Sequence, residues 1–193
     1  MKHLLLGLVL MAATVAGAAN AKTYNGLDVP DYTVVEQIGD VEIRDYTPYT
    51  EANVTRRGSR SGAAGSAFRA LAGYIFGGNQ SETKMAMTAP VVQERSGRDW
   101  VVSFVLPKDV SVTTAPIPNA GDVSVVERPG TRMAVIQFNG FWTDTRLRVF
   151  ETDLRETLAS AGLTPVGTPI YMFYNDPFTL PRNRRNEMGL RLD

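Results

Sequence analysis

The chain has 193 residues, 44% of them hydrophobic and 21% charged, which is the composition of a globular protein with room for one domain and its core. Its basic and acidic side chains number 20 each, so overall charge does not attract it to nucleic acid. It has no cysteine and one histidine, which excludes disulfide crosslinks and leaves little for metal binding or nucleophilic catalysis.

Residues 1–21 have the pattern of a secretory leader. A lysine precedes an apolar run over residues 4–11, and small residues stand at Ala19 and Ala21, the two positions that a signal peptidase recognises. The run is too short to span a membrane as a helix. We therefore expect cleavage before Lys22 and export to the periplasm or the cell exterior, with no stable membrane anchor afterwards.

The mature chain would consist of an N-terminal extension, residues 22–31, and a single domain, residues 32–193. Loss of the leader removes His3 and one lysine, leaving no histidine, no cysteine, and 19 basic against 20 acidic side chains. Hydrolase triads and cysteine enzymes need one of the two missing residue types. The carboxylates form no recognisable acid and base pair. We expect the protein to be neither an enzyme nor a nucleic-acid binder.

The first elements of the domain are a β-hairpin. Residues 32–38 alternate apolar and polar, Gly39 and Asp40 make the turn, and the alternation resumes at Val41. This pattern indicates two antiparallel strands with one buried face.

A first helix is predicted over about residues 62–76. Its sheet-facing stripe is expected to contain Ala64, Ala67, Phe68, Leu71 and Ile75.

The same helix carries small or apolar residues on its other side too, and Arg69 is its one charged residue. Gly65, Phe68, Ala72 and Phe76 lie within about half a turn of Arg69 at 100° per residue. A helix that buries one face normally places charges on the other. Either the small residues allow close packing under a loop, or a flat apolar ligand lies across the helix with Arg69 at its rim.

The next segment ends the helix and continues as an extended chain. Gly77 is expected to stop the helix, and residues 84–92 are predicted to form a strand. In a strand, Met85 and Met87 point to one face. They either fill gaps in the core or line the same groove as the helix.

The second half repeats this order after a proline-containing linker, residues 110–121. The sequence VSVVERPG at 123–130 resembles YTVVEQIG at 32–39, with a constant offset of 91 residues. Glu36 and Glu127 take matching places, which favours a structural role for each.

The second helix has the clearest pattern in the chain. Thr143 or Asp144 can cap it, and Gly162 can end it. Its apolar positions recur at helical spacing at Leu147, Phe150, Leu154, Leu158 and Ala161. Further strands are predicted at 100–106, 168–174 and 186–192. The fold class is therefore α+β, with two duplicated ββαββ halves and a helix packed on each.

Four separated motifs then stand out together. They are Tyr-x-Val-x-Glu at 32–36, YIFGGN at 74–79, KMAMTAPV at 84–91, and PF at 177–178 followed by PRNRRNE at 181–187. In this order they resemble the SOUL family of haem-binding proteins, over nearly the whole mature chain. The resemblance implies a distorted antiparallel β-barrel with two helices packed on it, and a tetrapyrrole bound non-covalently at the first helix and nearby loops.

The resemblance also implies which residues would hold the ligand. Some members are thought to use histidine on the iron, whereas the mature chain has none, so binding through apolar contacts, Met or Tyr is expected. Family members commonly offer more basic residues on this helix than the single Arg69. Arg182, Arg184 and Arg185 are candidate partners for the propionates, because planar guanidiniums suit carboxylates. The alternative for this cluster is a solvated turn.

The expected function is reversible binding of haem or a related porphyrin by a monomer, for storage, scavenging or buffering. One alternative is an effector-type module for another flat apolar ligand. The other is an interaction protein with the same fold that binds no tetrapyrrole.

Overall fold

The computed structural model describes residues 23–193, so the predicted leader lies outside the described residues. The strands are β1 (Thr23–Tyr24), β2 (Leu27–Asp28), β3 (Tyr32–Ile38), β4 (Val41–Tyr46), β5 (Tyr49–Arg57), β6 (Val91–Ser96), β7 (Asp99–Val105), β8 (Ser124–Arg128), β9 (Thr131–Phe138), β10 (Pro165–Phe173) and β11 (Asn186–Leu192). The helices are α1 (Arg60–Ile75) and α2 (Asp144–Ser160), and a short 3-10 turn spans Pro181–Asn183.

Nine strands form one curled antiparallel sheet in the order β3-β4-β9-β11-β10-β6-β7-β5-β8. The helices cover one face of this half-barrel, α1 on β5 and β7, and α2 on β9 and β10. The strands β1 and β2 form a separate small hairpin. The α+β prediction is confirmed. No helix in the described part of the chain is long and apolar enough to cross a bilayer.

The centre of the sheet lies between β10 and β6, and the strands on its two sides correspond in pairs. From the centre outwards, β10-β11-β9-β4 on one side corresponds to β6-β7-β5-β8 on the other. The 91-residue offset is wrong, because it equates β3 with β8, whereas β4 occupies the place that corresponds to β8. Glu36 therefore lies on β3, one strand beyond the corresponding place, and Glu127 lies on β8 at the opposite edge of the sheet. Short alternating strands resemble one another, so a four-residue likeness did not identify the corresponding pair.

The first helix begins two residues earlier than predicted, and of its predicted sheet-facing residues Ala67, Leu71 and Ile75 are buried, whereas Ala64 is half-buried and Phe68 is exposed. The Oγ of Ser59 accepts a hydrogen bond from the backbone N–H of Gly62, which caps the helix. The buried face comprises Arg60, Ala63, Ala67, Leu71, Tyr74 and Ile75. Phe68 is 44% exposed, because the buried face is centred on Ala67 and Leu71 and Phe68 lies at its margin.

The second helix agrees with the prediction. The Oγ1 of Thr143 caps it by accepting from the N–H of Arg146, and the helix ends at Ser160, two residues before Gly162. Leu147, Leu154 and Leu158 are buried against the sheet. A strong apolar period with a capping residue at one end and glycine at the other was sufficient to define this helix.

The opposite, concave face of the sheet forms a separate core. It is covered by the N-terminal segment, whose Val29 is buried among Val92, Met133 and Met172. Unusually for a core, this face also contains wholly buried carboxylates at Glu51 and Glu187.

Candidate functional site

The Gly-Gly-Asn sequence after α1 shapes the loop that follows. Gly77 has a φ of +106°, the left-handed conformation that ends helices. A Cβ at Gly78 would lie 2.7 Å from the carbonyl oxygen of Gly73, so only glycine fits there. The buried Asn79 donates from Nδ2 to the carbonyl of Thr83 at 2.7 Å. This part of the motif therefore fixes the turn. The sequence predicted that Gly77 ends the helix, but it did not predict the roles of Gly78 and Asn79.

Residues 84–90 do not form the predicted strand. The N–H of Met85 donates to the carbonyl of Ile75, and the N–H of Ala89 donates to that of Asp28, both at 2.9 Å. The segment thus pairs with the end of α1 and with β2, and its only ladders are isolated bridges. Met85 and Met87 are both half-buried on either side of the exposed Ala86, and both pack against the same buried cluster, so they share one side as predicted.

The outward face of α1 is apolar and open. We call Gly65, Phe68, Ala72 and Phe76, with Arg69 beside them, the α1 strip. Phe76 is 58% exposed, and a Cβ at Gly65 would meet nothing within 4 Å. Gly65 and Phe76 are therefore not packed under a loop, whereas Ala72 is half-buried.

One aromatic ring in the strip is held in place from below. The ring of Phe68 meets that of Phe104 edge-to-face, with centroids 5.1 Å apart and an interplanar angle of 70°. Ala72, Met85 and Met87 pack against the same buried cluster beneath the helix. The fold therefore brings the two methionines to the side of the strip.

Arg69 is the charged member of the strip. Its side chain is exposed, and among residues 23–193 it forms no salt bridge. A carboxylate of a ligand lying on the strip would meet a cation without a competing protein partner.

The predicted arginine cluster lies on the other half of the sheet. Arg182, Arg184 and Arg185 line a cleft with α2 and the end of β9, and no residue of the α1 strip lines that cleft. The guanidinium of Arg185 is 2.7 Å from the buried carboxylate of Glu187. These arginines therefore do not form one site with the α1 strip. The two segments that contain them lie on different halves of the sheet.

Glu187 was not singled out from the sequence, although it ends the last motif. It is wholly buried, and both of its oxygens accept from Arg44, at 2.9 and 3.1 Å. The hydroxyl of Tyr174 donates to it at 2.8 Å. Burial alone would raise the pKa of Glu187, yet the guanidiniums of Arg44 and Arg185 hold it below its usual value. This group is a structural ion cluster inside the half-barrel.

A second buried carboxylate lies across the interior. Glu51 accepts from Ser103 at 3.0 Å and from Arg128 at 2.9 Å, while its Oε2 has no partner among the described residues. Burial raises the pKa of Glu51 despite the Arg128 guanidinium. Its partner Arg128 also lines a partly open cavity of about 80 Å³, whose lining includes Tyr46, Tyr49 and Tyr174.

The described residues contain no group of three His, Cys, Asp or Glu side chains arranged to hold a metal ion.

Sequence comparisons identify one family. The profile of the SOUL heme-binding protein family matches residues 27–191. Heme-binding protein 2 of Mus musculus is 27% identical over 187 residues, which cover 90% of this chain and 90% of the relative.

Solved structures share the fold at low identity. An uncharacterized conserved protein from Listeria innocua has a TM-score of 0.62 at 11% identity, covering 80% of this chain and 92% of that one. A hydrolase from Listeria innocua has a TM-score of 0.59 at 14% identity, with the same coverage. The EcmrR C-terminal domain has a TM-score of 0.59 at 10% identity, covering 79% and 96%. Such identities show a common fold and nothing about activity.

Proposed function

Because this chain belongs to the SOUL heme-binding protein family, we propose that it binds haem or a related tetrapyrrole reversibly, with the flat ring on the α1 strip. The observation that carries the proposal is the exposure of Phe68 and Phe76, at 44% and 58%, on a helix whose outward face has one charge. Exposed apolar surface of this kind commonly marks a binding site.

The residues present fit a porphyrin without an iron bond. Burial of apolar surface contributes about 25 cal/mol per Å² before association costs. A micromolar complex requires about −8 kcal/mol in total, which is within reach of a ring covering two phenyl groups and a helix face. The ring of Phe68 is already fixed against Phe104, so binding need not order it.

The role that we propose is storage, scavenging or buffering of the tetrapyrrole by an exported monomer, after cleavage of residues 1–21. The buried carboxylates Glu51 and Glu187 are engaged by arginines inside the fold, which is not the arrangement of an acid and base facing a substrate. Catalysis therefore has no part in the proposal.

The proposal is tested by titrating haem and iron-free protoporphyrin into the untagged mature protein, because a histidine tag would itself bind iron. We expect saturable binding of both at about one per chain, with micromolar affinity. Absence of saturation with either compound would refute it.

Arg69→Ala is expected to weaken porphyrin binding about tenfold, the loss typical of one charge-assisted contact to a propionate. The matched control is Arg57→Ala, which removes an exposed arginine just before α1. Isothermal titration of both variants with haem measures the effect. Equal affinities for the two variants would contradict a ligand with its propionates near Arg69.

Bound haem iron is expected to lack histidine ligation, because the mature chain contains no histidine. Met85 and Met87 are the candidate protein ligands beside the strip. An electron paramagnetic resonance spectrum of untagged protein measures this. A signal from iron with a histidine ligand would mean that His3, the one histidine of the sequence, is retained and the leader is not cleaved where we propose.

A second candidate function is that of an effector-type module for another apolar ligand. The observation that favours it is the partly open interior cavity of about 80 Å³, whose lining includes Pro30, Tyr46, Tyr49 and Tyr174. This volume is below the roughly 300 Å³ of ordinary ligand pockets, so the cavity would have to widen around an organic ligand. A thermal-shift screen with apolar compounds tests it, because a ligand that binds only the folded state raises the melting midpoint.

A further inference from the structure

Four guanidiniums line the cleft between α2 and the end of the β10–β11 connection, which we call the arginine cleft. Arg146 comes from α2, and Arg182, Arg184 and Arg185 come from the turn before β11. The cleft has a volume of about 640 Å³, and no carboxylate is among the residues that line it. The cleft is wide and open to solvent, so a ligand there would be held mainly by its charged groups.

The cleft carries uncompensated positive charge. Arg185 is neutralised by Glu187, whereas Arg146, Arg182 and Arg184 have no carboxylate within 4.0 Å among residues 23–193. The chain as a whole carries equal numbers of basic and acidic side chains. Three unpaired cations at one concave place therefore produce a local field that attracts anions.

The position of Arg146 does not serve the helix. It is the third residue of α2, where the positive end of the helix dipole disfavours a cation. Its guanidinium lies 5.5 Å from the ring centroid of Phe150 and beside Gly140, whose φ of +93° favours glycine. Arg146 thus adds its charge to the cleft without an acidic partner among residues 23–193.

The walls of the cleft are fixed before any ligand arrives. Arg184 donates to the carbonyls of Thr179 and Pro177, at 2.8 and 2.7 Å, and its guanidinium lies 4.4 Å from the ring centroid of Trp142. The N–H of Gly140 donates to the carbonyl of Pro181 at 2.8 Å, which ties the two walls together. Binding here would cost little ordering of side chains.

From this geometry we propose that the arginine cleft is a second ligand site, which takes a small molecule with two or more carboxylate or phosphate groups. Planar guanidinium forks match both groups in a bidentate manner, and the charges of Arg146, Arg182 and Arg184, none paired with a carboxylate among residues 23–193, favour a ligand with more than one anionic group. The cleft lies on the other half of the sheet from the α1 strip, so this site does not depend on the proposed porphyrin site.

The test is isothermal titration of the mature protein with inorganic pyrophosphate and, in a separate arm, citrate. The variant Arg146→Ala/Arg182→Ala removes two of the free cations. Its control, Arg98→Ala/Arg148→Ala, removes two exposed arginines outside the cleft and makes the same change in charge. We expect saturable binding at low salt, weakened at least about tenfold in the cleft variant and less than about twofold in the control.

Saturation by pyrophosphate alone would identify a phosphate ligand, by citrate alone a carboxylate ligand, and by both the shared polyanion chemistry; each supports the site. Arg146→Ala should leave the melting midpoint unchanged or higher, because it removes a cation from the start of α2. If the double variant does not fold, Arg182→Gln, at an exposed turn residue, gives the same comparison. No saturation with either probe, or equal weakening in the control, overturns the proposal.

Discussion

Ala72→Glu is expected to abolish porphyrin binding while the protein stays folded. Ala72 lies between Phe68 and Phe76 on the α1 strip, so a glutamate there would place a charge beneath the ring and repel the propionates. The fold should tolerate the change because the position is only half-buried and glutamate is a good helix former. Titration with haem and with iron-free protoporphyrin measures the loss, and circular dichroism checks the fold.

The matched control is Val149→Glu, which adds the same charge at an exposed apolar residue of α2. It should bind porphyrin like the wild type. Unchanged affinity in a folded Ala72→Glu protein would contradict the strip as the site and would direct attention to the arginine cleft.

Glu187→Gln is expected to lower the free energy of unfolding by about 3–5 kcal/mol, the usual effect of removing one partner from a buried ion pair. The substitution leaves the guanidiniums of Arg44 and Arg185 without their buried counter-charge, and it points an amide N–H₂ at groups that are themselves donors. Urea denaturation at pH 7 measures the change. Glu127→Gln, at an exposed carboxylate on β8, is the control and should change stability by less than about 0.5 kcal/mol.

The same variant should change the response to acid. Because the folded pKa of Glu187 is lowered, its stabilisation is fully present above the unfolded value of about 4.3 and is lost as pH falls through the folded value. The gap in unfolding free energy between wild type and Glu187→Gln should therefore narrow between pH 5 and pH 2. A constant gap over this range would mean that Glu187 is not ionised in the folded protein.

Elements whose sequence pattern lies within one segment were predicted correctly, and those that depend on contacts between distant segments were not. The boundaries of α2 were predictable, since an apolar period, a capping threonine and a terminal glycine all lie within one segment. Residues 84–90 alternate like a strand, but their backbone partners are α1 and β2, which no local pattern indicates. The correspondence between β4 and β8 was likewise determined by long-range strand order.

The same distinction between local patterns and distant contacts applies to the candidate site residues. The α1 strip was predictable from composition, because residues 62–76 contain one charged residue, Arg69, and a solvent-facing helix side normally carries several. The arginine cluster was correctly seen as unusual, but the sequence could not show that Arg185 is held by the buried Glu187 or that Arg146 comes from a distant helix to complete a cleft. Both facts depend on contacts between elements far apart in the chain.

The most direct measurement of the central claim uses the methionine methyl groups as reporters. Residues 23–193 contain five methionines: Met85, Met87, Met133, Met172 and Met188. Those at 85 and 87 flank the strip, those at 133 and 172 line the interior cavity, and the last is buried under α2. Iron-free protoporphyrin is diamagnetic, and its ring current displaces the resonances of nearby methyl groups.

We therefore propose titrating this porphyrin into mature protein labelled with ¹³C at the methionine methyls. The account predicts that the Met85 and Met87 signals shift on saturation while those of Met133, Met172 and Met188 stay in place. Shifts at Met133 and Met172 without shifts at Met85 and Met87 would place the ligand inside the half-barrel, and either that result or no shift at all would contradict the account.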